Sequence, residues 1–255
     1  MELVRIVCCL SVAIFAAPSM GRELPIGAIV DTPTIHHNVH YTAGHQRPYP
    51  KSCRDVTHRV SGVHRIQPEW PFQEPMLVYC DQEFESGGWT VIQRRIDGSV
   101  DFERDYVDYD KGFGNIDAEF WLGLENIYRL AKSAPHELVV LLEDFAGNTS
   151  YAKYAAWDVA KRNDNYSFKK LDSYSGSASD AFEGNNHDIS FVYSNTGGVW
   201  TRFSYGETCN LNGKYVPHNN GDRTDGTVSG LHWGNFKAGS IKATKMMVRV
   251  TKPLE

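Results

Sequence analysis

Gly87-Gly88-Trp89-Thr90-Val91-Ile92-Gln93-Arg94-Arg95 reads as a turn that launches a strand. Paired glycines suit a tight turn, and the aromatic and β-branched residues after them favour a pleated, half-buried backbone. Upstream, Met76-Leu77-Val78-Tyr79 reads as a second strand running into Cys80. Downstream, Leu124, Ile127, Tyr128 and Ala131 fall at helical spacing on a short helix after Gly123. Leu138 to Leu142 is a continuous apolar run, suited to a strand buried on both faces. Met247-Val248-Arg249-Val250 reads as the closing strand, and Tyr151 to Val159 fits helix and strand equally. Short apolar runs punctuated by Gly and turn signals predict an α+β domain built on antiparallel strands.

The N-terminus has a different texture. Arg5 precedes an apolar run from Ile6 to Ala17, followed by Pro18-Ser19-Met20-Gly21, the pattern of a secretory signal peptide over residues 1–19 with cleavage near 19–21. The run is too short to span a bilayer. Residues 20–50 carry Pro25, Pro33, Pro48 and Pro50 without apolar periodicity and read as a flexible leader. Its histidines, His36, His37, His40 and His45, have no spacing that fixes a metal geometry. The folded domain is expected over 51–253, in an extracellular protein. The formal net charge of −5 exerts no general pull toward nucleic acid or anionic membranes. Five cysteines become three when the signal leaves, Cys53, Cys80 and Cys209, so two are expected to pair and one is left over.

Several ordered runs together resemble the fibrinogen C-terminal domain family: Ser52-Cys53-Arg54-Asp55-Val56, Val78-Tyr79-Cys80-Asp81, the Gly87–Arg95 stretch, Asp97-Gly98-Ser99-Val100-Asp101-Phe102, Glu119-Phe120-Trp121-Leu122-Gly123 and Asn210-Leu211-Asn212-Gly213. The resemblance implies a small N-terminal subdomain stapled by a Cys53–Cys80 disulfide, a central antiparallel sheet with short helices, and a loop-rich C-terminal binding subdomain. It also exposes departures. The family's Asp-rich calcium loop is replaced by Glu183-Gly184-Asn185-Asn186-His187-Asp188, too poor in carboxylates for six to eight oxygen ligands. No cofactor is expected on that ground. The family's third cysteine is missing and its fourth is displaced to Cys209, which is then unpaired or joined to another chain in a dimer, while Gly206-Glu207 occupies the usual place.

The resemblance places a ligand pocket in the C-terminal subdomain. The candidates to line it are Glu207, Tyr215, His232, Trp233 and Phe236, with His218 as a further polar group; core packing is the competing reading of the rings. Asn148-Thr149-Ser150 and Asn165-Tyr166-Ser167 are glycosylation sequons, and Asn165 lies in the more polar run. The expected function is non-enzymatic recognition of acetylated glycans in innate immunity, independent of calcium. The alternative is an extracellular protein ligand for a receptor or matrix partner. A Cys209 nucleophile with His218 or His232 as base is set aside, because no catalytic signature accompanies it.

Overall fold

The strand that follows Gly87-Gly88 is β3 (Trp89–Arg95), and it lies well inside an antiparallel sheet. The structure is a computed structural model, and it describes residues 47–182, 189–194, 197–202, 209–216, 230–234 and 241–251. The expected signal segment, most of the expected leader, residues 183–188 that stand where the family's calcium loop is expected, Glu207, His218 and Phe236 lie outside these residues.

Among the described residues the main sheet has nine strands. Its principal path runs β1 (Gly62–Ile66), β2 (Met76–Asp81), β3, β13 (Ile241–Val250), β6 (His136–Asp144), β7 (Thr149–Val159) and β8 (Phe168–Gly176). Two short strands, β4 (Phe113–Gly114) and β5 (Phe120–Trp121), attach to β3 through Gln93↔Trp121 and Arg94↔Phe120. The closing strand of the sequence is thus a central strand of the sheet, paired to β3 on one side and β6 on the other. The continuous apolar run in β6 is explained by that position: Leu138, Val139 and Val140 are all fully buried, and successive side chains of a strand point to opposite faces.

The ambiguous segment Tyr151 to Val159 is a strand, and its mixed signal has a cause. His136 pairs with Trp157 and Leu138 with Tyr154, so three steps on β7 oppose two on β6. The extra residue at Ala155-Ala156 is a bulge that switches the buried set from Ala152 and Tyr154 to Trp157 and Val159. Strict alternation is broken in the middle, which hides the period of two.

Helix α1 (Tyr106–Lys111) is capped by Asp105, whose carboxylate accepts from Asp108 N. Helix α2 (Leu124–Ser133) buries Leu124, Ile127 and Ala131 of the predicted stripe together with Leu130, which the spacing did not single out, while Tyr128 is only partly buried; the helix packs on β7. Ahead of it Gly123 has φ 101°, and a Cβ there would come within 2.6 Å of Lys111 backbone, so only glycine fits.

The Cys53–Cys80 disulfide is present, tying the short 3₁₀ turn Cys53–Asp55 to β2. Residues 47–50, assigned from the sequence to the leader, are docked: Arg47 Nη1 donates to Gln67 O at 2.7 Å and Gln67 N donates to Pro50 O at 2.8 Å.

Candidate functional site

The described part of the C-terminal subdomain is small. It comprises the hairpin β9 (Ile189–Ser194) and β10 (Gly197–Arg202), the pair β11 (Cys209–Asn210) and β12 (His232–Trp233), and the turn that runs from Leu211 to Val216. What holds it is a set of buried polar side chains on the inner face of the sheet. Gln93 Nε2 donates to Leu211 O at 2.7 Å and to Asn212 Oδ1 at 3.1 Å. Thr244 Oγ1 donates to Gln93 Oε1 at 2.9 Å, which fixes the amide's orientation. Arg95 Nη1 donates to Gly213 O at 2.9 Å, and Asn212 Nδ2 donates to Gly198 O at 2.7 Å. The Asn210–Gly213 run is therefore pinned at several points, with the carbonyls of Leu211 and Gly213 and the side-chain oxygen of Asn212 each meeting a donor, as burial favours.

Arg95 is itself a buried charge. Desolvation is the dominant influence and lowers its guanidinium pKa to about 10, while Glu119 works in the opposite direction. The ring of Phe102 lies under the guanidinium at 3.8 Å. Glu119 collects the turn after β3: its Oε1 accepts from Ile96 N at 2.6 Å, Asp97 N at 2.9 Å and Gly98 N at 2.9 Å, and its Oε2 from Val100 N at 2.9 Å. Burial alone raises a carboxyl pKa, but these four backbone donors outweigh it and hold Glu119 below its ordinary value.

The candidate pocket residues fall in different surroundings. Trp233 is 0% exposed, donates from Nε1 to Ser179 O at 2.7 Å and stands edge-on to Phe182 at 4.9 Å. It is a core ring, which is the competing reading for it. Tyr215 turns elsewhere, with its hydroxyl donating to Ile96 O at 3.2 Å and its ring against Phe145 at 6.3 Å. His232 is buried, with Nδ1 3.1 Å from Gly230 O, and its Nε2 has no hydrogen-bond partner among the described residues. Of the described candidates, His232 alone has a polar atom without a hydrogen-bond partner among the described residues, and that atom is buried. Cys209 is 2% exposed and its thiol donates toward Trp200 O at 3.8 Å, so the sulfur lies inside the fold. Both sequon asparagines are exposed; Asn148 Nδ2 also donates to Asp144 Oδ2 at 2.9 Å, whereas Asn165 sits on a left-handed turn with φ 51°.

The residues that matter most for holding this subdomain, Gln93, Arg95, Glu119 and Thr244, carry no site role in the sequence reading. The available signal was polar Gln93-Arg94-Arg95 continuing an apolar strand, since buried polar positions in a central strand need partners.

The opposite, outward face of the sheet carries a groove of about 540 Å³. Phe84, Arg94, Ile96, Leu141, Tyr151 and Lys245 line it. Ion pairs flank it: Lys245–Asp81 at 2.6 Å, Lys153–Glu85 at 2.5 Å and Arg249–Glu137 at 2.7 Å. The guanidinium of Arg94 lies over the Tyr79 ring at 4.3 Å, and that of Arg249 over Trp89 at 4.2 Å. The face is thus apolar at its floor and charged at its rim, the composition of a protein-contact surface.

Residues 49–197 match the family described as fibrinogen beta and gamma chains, C-terminal globular domain. The chain belongs to this family. Angiopoietin-related protein 2 of Mus musculus is 37% identical over 207 residues, covering 75% of this chain and 41% of the relative. The chain therefore spans about four tenths of the length of such relatives. Among solved structures, the fibrinogen-like globe domain of human ANGPTL2 aligns with TM-score 0.71 at 35% identity, over 80% of this chain and 100% of that one. Lamprey fibrin D-dimer, solved with the peptide ligand Gly-His-Arg-Pro-amide, aligns with TM-score 0.68 at 27% identity, over 86% of this chain and 81% of that one. Among the described residues of this fibrinogen-like chain, no helix is long and apolar enough to cross a membrane.

Proposed function

We propose that this fibrinogen-like chain is a secreted, non-enzymatic ligand that binds a protein partner, a cell-surface receptor or a matrix component, without needing calcium. The observation that carries this reading is the match to the whole ANGPTL2 globe domain at 35% identity. The lamprey relative, solved with a peptide ligand, is an instance of the fold holding polypeptide. Burial of Trp233 takes an aromatic wall from the expected sugar pocket, while the groove over β3, β13, β6 and β7 offers apolar floor and charged rim to a protein. Acetylated-glycan recognition, foremost in the sequence, becomes the second reading, with the unpartnered, buried Nε2 of His232 in its favour.

The test is a binding screen of the purified chain against receptor ectodomains and matrix proteins, run beside a glycan array, both with and without a chelator. Saturable binding to a protein that survives chelation and is not competed by N-acetylated sugars is expected. Binding confined to glycans overturns the reading in favour of the lectin-like one, and loss of all binding on chelation overturns the calcium-independent part.

A further inference from the structure

The charge around the N-terminal turn runs against the character of the chain. The formal net charge is −5, yet between residues 47 and 65 Arg47, Lys51, Arg54, Arg59 and Arg65 face a single acid, Asp55. Asp55 is itself engaged, its Oδ2 accepting from Ser52 Oγ at 2.7 Å. Arg54, Arg59 and Arg65 are exposed.

The fold gathers these cations around two clefts that share the segment from Lys51 to Arg59. One, of about 570 Å³, is lined by Arg47, Lys51, His58, His64 and Arg65 together with Asp55. The other, of about 400 Å³, is lined by Arg54, Arg59 and Arg249 with Glu137. Arg249 is neutralised by Glu137 at 2.7 Å. Among the described residues, none of the five cations of the 47–65 segment makes an ion pair. Three are fixed by neutral backbone carbonyls: Arg47 Nη1 on Gln67 O at 2.7 Å, Arg54 Nη1 on Val250 O at 2.8 Å and Arg59 Nη1 on Ser86 O at 3.1 Å. A carbonyl positions a guanidinium without cancelling its charge, and the remaining N–H donors of its fork stay available.

We infer that this basic shoulder is a binding site for a linear sulfated polysaccharide. An extended polyanion can meet cations on both clefts at once, and planar, weakly hydrated guanidiniums suit sulfate as they suit phosphate. Concave clefts of this size admit a single sugar chain, whereas a flat bilayer or a broad duplex meets only their rims. The site meets the rim of the sheet groove only at the Arg249–Glu137 pair and does not depend on the protein-ligand reading.

The experiment uses the full purified chain and heparin as the probe. Retention on immobilised heparin at about 50 mM salt, with elution as salt rises, is expected, because neutralising sulfates releases condensed counterions. Arg59→Glu with Arg65→Glu should weaken heparin affinity by about tenfold or more. Lys169→Glu with Lys170→Glu, exposed on β8, should leave it unchanged. Retention should vanish on desulfated heparin, and heparin should protect Arg59 and Arg65 of the unmutated chain from arginine-selective labelling. The inference is overturned if the unmutated chain flows through heparin at low salt. It is equally overturned if both double variants lose affinity alike, if duplex DNA or anionic vesicles bind as tightly as heparin, or if labelling is unprotected.

Discussion

Arg95 and Glu119 face each other at 3.9 Å with side chains 1% and 0% exposed. The cation reaches forward to the carbonyls of Leu211 and Gly213, and the acid gathers the amides from Ile96 to Val100. One buried pair therefore joins the sheet to both the turn beside it and the C-terminal subdomain beyond it.

Glu119→Gln keeps the shape and removes the charge, leaving Arg95 buried without its counter-ion. The expected loss of stability at neutral pH is about 3 kcal/mol. The folded carboxyl sits below its ordinary pKa, so its contribution is complete above the unfolded value near 4.3 and is lost as pH falls through the folded one. Urea unfolding should show the gap between wild type and variant at pH 7 closing below about pH 4. A gap that stays constant with pH would mean that shape, and not charge, is what Glu119 supplies.

His136 gives a second acid-sensitive element of different origin. Burial lowers its pKa to about 4, against a weaker opposite influence from the Ala134 carbonyl at 2.7 Å. The ring is therefore neutral in the fold and protonates more readily when unfolded. Stability is full above about pH 6.5 and declines as pH falls toward the folded value. His136→Phe should flatten thermal stability between pH 6.5 and about 4 relative to wild type, measured by thermal melts. An unchanged slope would remove His136 from the account.

The Cys53–Cys80 bridge closes a loop with a sequence separation of 27 residues. Chain-entropy reasoning gives it about 3–4 kcal/mol. Replacing both cysteines by alanine should lower the denaturation midpoint accordingly. Hydrogen exchange should quicken first in β1 and around residues 53–59, where fewer long-range contacts remain.

Cys209 should behave as a core thiol. Its burial predicts slow reaction with an aromatic disulfide reagent in the native state and rapid reaction in denaturant. Non-reducing electrophoresis should give a monomer band. A disulfide-linked dimer that disappears in Cys209→Ser would show that the β11 region opens in solution.

Much of the sheet is legible from sequence, because β2, β3 and β6 each follow a simple rule of strand composition and α2 shows its stripe. The two-residue strands β4 and β5 carry no periodicity to detect. The bulge at Ala155-Ala156 erased the pattern of β7 by shifting the buried face halfway along. Gln93, Arg95 and Thr244 act on partners more than a hundred residues away in sequence, and a local window cannot show which buried polar groups will meet. Trp233 illustrates the limit at the site: an aromatic ring is equally suited to a ligand wall and to a core, and only its packing against Phe182 decides between them.

The central place of β13 has a consequence for how the protein is made. Until residue 250 has left the ribosome, β3 and β6 each present an unpaired edge along the middle of the sheet, and the N-terminal and later strands have nothing to join them. Folding must wait for the end of this segment, as a zip waits for its slider. In that interval a nascent chain rich in exposed strand edges is most open to aggregation and most in need of chaperone protection.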